Sequence, residues 1–230
     1  MRRLLLARHG QSVSNAIRRF QGAQDVALSP LGMRQAEALG QAVSRRAIAH
    51  VYVSPFERAR DTAAIALAGL GLPLTVVDDL RELSLGEWEG CTVEEIRTRP
   101  GDPYARWVRD PVQCPPPGGE PLADVQARVL RAVERITAAH PNGDDVLIVS
   151  HGGVISALLA HCFGLASAQL GQRHVLGALK AAHGIGHRLS VAREEETLHR
   201  PTPAAGGLGE RDRPPARHRR RGHRPAEPLT

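Results

Sequence analysis

The chain has 230 residues, 42% of them hydrophobic, which fits one α/β domain with a sizeable core. Its net charge of +6 is concentrated at the C-terminus, because residues 201–230 hold seven Arg against three acidic residues and so carry +4 of it. Aromatic residues are only 3% of the chain and are not interleaved with basic ones, so nucleic acid is not expected as a partner.

The first half of the chain alternates strands with helices. Leu4–Ala7 is a short apolar run without polar alternation, which is typical of a strand buried on both faces of a parallel sheet. Ser29 and Pro30 form a helix start, a capping hydroxyl followed by a proline, and the helix is expected to reach about Arg46. There follow a strand at Val51–Val53, a helix from Glu57 to about Leu70 and a strand at Thr75–Val77.

The second half contains an insertion and then resumes the alternation. Residues 81–120 are rich in Gly and Pro and are predicted to be a lid with short helices and no sheet. The later elements are a long helix from Leu122 to about Ala139, a strand at Val146–Val149, a helix from Val154 to about Phe163 and a last strand at Arg188–Ala192. The pattern predicts a three-layer α/β/α sandwich with a mostly parallel central sheet.

The domain limits follow from composition. Residues 1–198 are predicted to form the folded domain, and residues 199–230, rich in Pro and Arg, a basic tail without order. Cys91, Cys114 and Cys162 are odd in number and far apart, so they indicate neither a disulfide framework nor a cysteine-rich zinc site. The apolar run near the N-terminus is too short for a signal peptide, and no stretch approaches the roughly 20 residues that span a bilayer. A cytoplasmic protein with no membrane partner is expected.

Two histidines occupy matching places in this pattern. His9 follows the first buried strand and His151 follows the strand Val146–Val149. Open α/β sheets bind ligands at the carboxyl ends of their strands, so the two imidazoles are placed to face one another. A single histidine in a loop would more often be a solvated side chain, but two histidines that each follow a buried strand favour a functional site.

The neighbouring charges favour an anion over a metal in this site. A zinc ion held by His9, His151 and Glu82 is chemically reasonable, yet Arg8 and Arg58 would oppose a dication. The same guanidinium groups match phosphate oxygens in pairs, and the helix start after His151-Gly152-Gly153 can add backbone N–H donors. A neutral imidazole can then attack phosphorus. The leaving oxygen needs a proton, for which Glu82, Glu87 and Glu89 are all candidates by spacing.

A series of motifs resembles the histidine phosphatase superfamily, which is phosphoglycerate mutase-like in fold. The series covers roughly residues 3–165 and consists of ARHGQS at 7–12 with Asn15, Gln21-Gly22 with Asp25, LSPLG at 28–32, VSPFERARDTA at 53–63, LRELSLGEWEG at 80–90, PGGE at 117–120 and VSHGG at 149–153. So many ordered matches are far more specific than one short motif. After about residue 165 the match is lost.

The resemblance implies a role for each matching residue. His9 is the nucleophile that becomes phosphorylated, and Glu82 takes the place of the general acid. The phosphoryl group would be held by Arg8, Arg58 and His151, with Asn15 assisting. Gln21, Gly22 and Gly152 would line the substrate site. No metal and no cofactor are implied, and the reaction is hydrolysis of a small phosphate ester through a phosphohistidine.

Two other functions stay open at this point. The first is a cofactor-dependent phosphoglycerate mutase, and the second is a phosphate-binding protein without catalysis. Gln21, the GEWEG segment and the His151-Gly152-Gly153-Val154 run resemble phosphatases more than mutases. A protein that only binds phosphate would need the arginines but not both histidines and an acid. The expected partner is a small phosphorylated metabolite, and the chain itself is a candidate homodimer.

Overall fold

The computed structural model describes residue 1, residues 3–164 and the strand Leu189–Val191, all within one compact unit, Met1–Glu194. The tail predicted at 199–230 lies outside the described residues. The described strands are β1 (Arg3–Arg8), β2 (Ile48–Val53), β3 (Leu74–Val76), β4 (Asp145–Ser150) and β5 (Leu189–Val191). The helices are α1 (Val13–Ala16), α2 (Pro30–Val43), α3 (Glu57–Ala66), α4 (Val93–Arg97), α5 (Pro103–Arg109), α6 (Leu122–Ala139) and α7 (Gly152–Cys162).

The strands form one sheet in the order β3-β2-β4-β1-β5, and each described pair is parallel. Alternate side chains of β1 and β4 point into two hydrophobic cores, one on each face of the sheet. Leu6 and Ile148 pack with α6 and α7, whereas Leu5 and Leu147 pack with α2 and α3. Helices therefore cover both faces of the sheet, which confirms the predicted three-layer fold.

Several predicted boundaries shift in the structure. The helix that begins at Ser29 and Pro30 ends at Val43, and Ser29 caps it by accepting a hydrogen bond from the N–H of Gly32. The helix after β2 ends at Ala66, four residues before the predicted end. α7 begins at Gly152 instead of Val154. The short helix α1, which lies between β1 and α2, was not predicted; a capping box between Ser12 and Asn15 holds it.

The insertion at 81–120 contains short helices, as predicted: a 3-10 turn at Gly86–Trp88, then α4 and α5. A small core of its own forms around Trp88, which is almost fully buried and contacts Phe20 and Trp107. The insertion is therefore packed on the loop that contains Phe20. Among the described residues, no helix has the length and apolar character needed to cross a bilayer.

Candidate active site

The pairing of β1 with β4 places the two histidines side by side. Arg8 lies opposite Ser150 in the parallel register, and the N–H of His9 donates to the carbonyl oxygen of Ser150 at 2.9 Å. The next residue after each strand is therefore a histidine at the same edge of the sheet. The ring centroids of His9 and His151 are 5.1 Å apart. Both rings are buried.

The tautomer of His9 follows from its hydrogen bond. Nδ1 lies 2.7 Å from the carbonyl oxygen of Gly10. A carbonyl oxygen only accepts, so Nδ1 carries the proton and Nε2 carries the lone pair. Burial, and then the positive charge of Arg8, lower the pKa of His9 from 6.5 to about 3, against the opposing effect of the Gly10 bond. His9 is therefore a neutral base at neutral pH.

A buried threonine fixes the loop that carries His9. The hydroxyl of Thr62 accepts the N–H of Gly10 at 3.0 Å and donates to the carbonyl oxygen of Arg58 at 2.6 Å. The side chain of Thr62 thus connects the loop that carries His9 to α3, the helix that carries Arg58. No role was assigned to Thr62 from the sequence, although it lies in the quoted motif at 53–63.

The side chain of Arg58 is only 1% exposed. Its Nη1 donates to the carbonyl oxygen of Gln24 at 2.7 Å and its Nη2 to that of Gly22 at 2.9 Å, while Nε has no protein partner among the described residues. Burial lowers the pKa of Arg58, and the charge of Glu82 partly offsets that effect. The N–H at Nε is therefore free to donate a hydrogen bond to a bound anion.

His151 lies next to His9 and is fully buried. Its Nε2 is 2.6 Å from the hydroxyl oxygen of Ser54, and its Nδ1 is buried without a protein partner among the described residues. The oxygen of Ser54 also accepts the N–H of Phe56 at 3.3 Å. Burial, and then the charge of Arg58, lower the pKa of His151. Both imidazoles of the site are therefore neutral, and the positive charge comes from the arginines.

The structure distinguishes among the three carboxylates that spacing in the sequence left equivalent. Glu87 is exposed and lies away from the cavity. Glu89 holds the loop with one oxygen, which accepts the N–H of Ala23 at 2.8 Å and that of Leu85 at 3.0 Å. Glu82 lines the cavity together with His9. Of these three carboxylates, Glu82 is the one that lines the cavity.

The carboxyl group of Glu82 is held by two backbone amides. It accepts the N–H of Leu83 at 3.1 Å and the N–H of Gly153 at 3.2 Å. Burial raises the pKa of Glu82, and these two amides oppose the effect. The start of α7 was expected to offer its N–H groups to the phosphate, but that of Gly153 is used to hold Glu82 instead.

The site opens into a cavity of about 420 Å³. The predicted residues that line it are Arg8, His9, Asn15, Gln21, Gly22, Arg58, Glu82 and Gly152. His151 is the one predicted site residue that is not among the lining residues, although its ring contacts that of His9. The amide oxygen of Gln21 is buried and has no partner among the described residues. Sequence reasoning missed the outer wall, which includes Arg18, Phe20 and Trp107.

The alternative of a zinc site finds no ligand set here. Within the described part of the chain, no three His, Cys, Asp or Glu side chains are grouped as ligands of one ion. Arg8 and Arg58 instead line the cavity next to His9. The geometry fits a tetrahedral oxyanion at His9, with cations around it and an acid beside it.

Comparison with known proteins agrees with this geometry. The family model of the histidine phosphatase superfamily (branch 1) matches residues 4–183, beyond the limit of about 165 expected from the motifs. A phosphoserine phosphatase of Hydrogenobacter thermophilus is 34% identical over 165 residues, which are 72% of this chain and 78% of that protein. A mycobacterial glucosyl-3-phosphoglycerate phosphatase, solved with VO3, superposes with a TM-score of 0.69 at 36% identity, covering 74% of this chain and 86% of that one.

One relative is much longer than this chain. A Mycobacterium tuberculosis protein named as bifunctional is 40% identical over 174 residues, which are 75% of this chain but only 47% of that protein. The chain thus spans about half the length of such curated relatives.

Proposed function

The chain belongs to the histidine phosphatase superfamily, and we propose that it is a metal-independent phosphomonoesterase that hydrolyses small phosphate esters through a phosphohistidine at His9. The observation that carries this proposal is the state of His9. Its Nδ1 donates to Gly10, so the lone pair of Nε2 is free, and the lowered pKa keeps the ring neutral. Arg8 and Arg58 supply the positive charge that the transferring group requires.

In the first step, Nε2 of His9 attacks phosphorus and the bond to the ester oxygen breaks. Arg8 and the free Nε of Arg58 stabilise the equatorial oxygens. The hydroxyl of Ser54 can donate to Nε2 of His151, which leaves the proton of His151 on Nδ1 as a further donor. Glu82, with its raised pKa, protonates the departing alkoxide.

In the second step, the ionised Glu82 takes a proton from water, and the resulting nucleophile attacks the phosphohistidine. The bond between phosphorus and Nε2 breaks, inorganic phosphate leaves, and Glu82 is protonated again. The hydrogen bond from Nδ1 to Gly10 keeps the ring oriented in both steps. The same carboxyl group therefore serves as acid and then as base.

The relatives support hydrolysis over the mutase alternative, because the named ones are phosphatases. Their names specify phosphoserine and glucosyl-3-phosphoglycerate as substrates, and we propose that this chain takes a small ester of comparable size. The cavity of about 420 Å³ accommodates such a molecule.

We also propose a cytoplasmic location, because Cys91, Cys114 and Cys162 are free thiols, as expected in a reducing compartment. The homodimer, and the absence of nucleic-acid and membrane partners, stay predictions.

The proposal is tested by measuring phosphate release from p-nitrophenyl phosphate and a panel of small phosphate esters with EDTA present. Turnover is expected to survive chelation, and rapid quenching is expected to trap an acid-labile, base-stable phosphoryl group on the protein. His9→Ala should abolish both. His161→Ala, a change of the exposed histidine at the end of α7, is the matched control.

Three results would contradict the proposal. Loss of all turnover in EDTA would indicate a metal-dependent reaction. A trapped phosphoryl group in the His9→Ala variant would place the nucleophile elsewhere. Binding of phosphate esters without release of phosphate by the unmodified protein would favour the non-catalytic alternative.

A further inference from the structure

The outer wall of the cavity is mainly apolar. Its apolar members come from the segment after α1, from the insertion and from the start of α6, and they include Phe20, Leu85, Val93, Trp107, Pro116 and Leu122. Phe20 and Trp107 pack edge to face, with ring centroids 6.3 Å apart. This wall can contact the carbon skeleton of a substrate but offers no partner for a second charged group.

Two adjacent arginines interrupt the apolar wall, and they differ in how their charge is used. Arg19 is neutralised, because Nη1 and Nη2 each contact the carboxylate of Glu95, at 3.0 and 3.1 Å, and Nη1 also donates to the carbonyl oxygen of Gly90 at 2.6 Å. Arg18 lines the same cavity and is exposed. Its side chain makes no hydrogen bond or ion pair within the described part of the chain.

The backbone of Arg18 adopts an unfavourable conformation. Its φ is 57°, in the left-handed region that glycine enters without penalty and that a residue with a Cβ rarely enters. The conformation is held by hydrogen bonds from the N–H of Arg18 to Asn15 at 3.2 Å and from the N–H of Arg19 to Ser14 at 2.9 Å. These two bonds are the common left-handed cap that follows a helix, here α1, and they fix the backbone that carries the side chain of Arg18.

We propose that Arg18 forms a second anion subsite, and that the preferred substrates are phosphate esters whose alcohol part carries a carboxylate. This inference rests on the proposed function of the same cavity. The phosphate occupies the floor at His9, the carbon skeleton contacts the wall at Trp107, and the guanidinium of Arg18 receives the carboxylate. A planar guanidinium binds a planar carboxylate with two parallel hydrogen bonds, which gives direction as well as charge.

The test uses substrate pairs that differ only by a carboxylate: phosphoserine against phosphoethanolamine, and 3-phosphoglycerate against glycerol 3-phosphate. We expect the protein to prefer the carboxylated member of each pair. Arg18→Ala should lower kcat/KM for that member by about 10- to 100-fold, mainly through KM, because a hydrogen-bonded charge is lost. The carboxylate-free member and p-nitrophenyl phosphate should change by less than about threefold. Arg18→Lys should recover part of the loss, and Arg60→Ala, a change of an exposed arginine on α3, is the control.

Two further measurements distinguish a second anion subsite from a purely structural role of Arg18. Arg18→Gly removes the guanidinium and also relieves the backbone, so it should lose the same preference while the Tm stays equal or rises. Calorimetric binding to the His9→Ala variant needs no turnover: phosphoserine should bind more tightly than phosphoethanolamine, and the difference should vanish when Arg18→Ala is added. If the proposed function is wrong, no ester will be hydrolysed. The binding measurement can still be interpreted in that case, because it does not depend on turnover.

Equal losses on both members of a pair, an unchanged preference, or a lowered Tm in Arg18→Gly would overturn the second subsite.

Discussion

Arg128 and Glu120 form a two-pronged ion pair, with Nε–Oε1 and Nη2–Oε2 distances of 2.7 and 2.8 Å. The remaining guanidinium nitrogen of Arg128 donates to the carbonyl oxygens of Asp79 and Arg81 at 2.8 and 2.7 Å. Arg81 directly precedes Glu82. One buried side chain of α6 thus holds the backbone that carries the proposed acid.

Arg128→Met is expected to destabilise the fold by about 3 kcal/mol, because it leaves two carbonyl groups without their donor and Glu120 with only the Arg81 ion pair at 3.6 Å. Urea unfolding measures this. Arg135→Met is the matched control: Arg135 lies on the same helix and contacts the carboxylate of Asp79, but its side chain is 60% exposed, so we expect a loss of at most about 1 kcal/mol. Similar losses for the two variants would show that the buried network contributes little.

Gly32 allows the first turn of α2 to contact the loop after β1. A Cβ at position 32 would collide with the backbone of Gln11, and one on Gly10 would collide with Gly32. Gly32→Ala should therefore lower the free energy of unfolding by roughly 1–3 kcal/mol, as overpacked sites do, and lower kcat by displacing His9. Helix propensity alone would predict stabilisation of up to about 1 kcal/mol. Arg34→Ala, an exposed change in the same helix, is the control. A Gly32→Ala variant as stable as the parent contradicts the close contact.

The lowered pKa of His9 has a consequence for stability. The folded protein does not protonate this ring until about pH 3, whereas the unfolded chain does so below about 6.5. Unfolding therefore takes up a proton between these values, and stability falls as the pH falls, by up to about 1.4 kcal/mol per pH unit for one such group. His9→Asn should reduce this slope in urea titrations between pH 7 and 4. His161→Asn is the control, and an unchanged slope in His9→Asn would contradict the buried neutral imidazole.

The sequence predicted the sheet and the two helix layers well, because buried parallel strands such as Leu4–Ala7 are short, apolar and bounded by turn residues. It also predicted that His9 and His151 meet, since both follow strands of one parallel sheet. Helix ends were less accurate. α3 ends at Ala66 although apolar residues continue to Leu70, because helical spacing does not show where the backbone turns.

The part of the site that the sequence did not predict depends on contacts between distant segments. The link from Gly10 to Thr62 spans 52 residues and that from Arg128 to Arg81 spans 47, and no local pattern encodes either. Spacing alone left the choice among Glu82, Glu87 and Glu89 open for the same reason, whereas the family resemblance implied Glu82. Only the folded insertion shows that Glu89 is occupied by loop amides and that Glu87 is exposed.

Glu82, as the proposed general acid, should matter most where the leaving group needs a proton. Glu82→Gln should slow phosphoryl transfer most for alkyl phosphates, whose strongly basic alkoxides need a proton to depart. The expected loss is roughly 10²–10⁴-fold for such esters and much smaller for p-nitrophenyl phosphate, because nitrophenolate leaves without protonation. Burst kinetics on both substrates are required, since loss of the base can slow release of phosphate from His9 equally in the two cases.

Glu87→Gln is the matched control. Glu87 is exposed to solvent and lies two positions before Glu89, so this substitution should leave both rates unchanged. Glu82 accepts the N–H of Leu83 with Oε1 and that of Gly153 with Oε2. Gln keeps one of these two acceptors, so the fold should be retained with a small loss of stability. A Tm close to that of the parent checks this. If Glu82→Gln slows phosphoryl transfer from both substrates to the same degree, the carboxyl group does not protonate the leaving oxygen, and its contribution lies in positioning Gly153 at the start of α7.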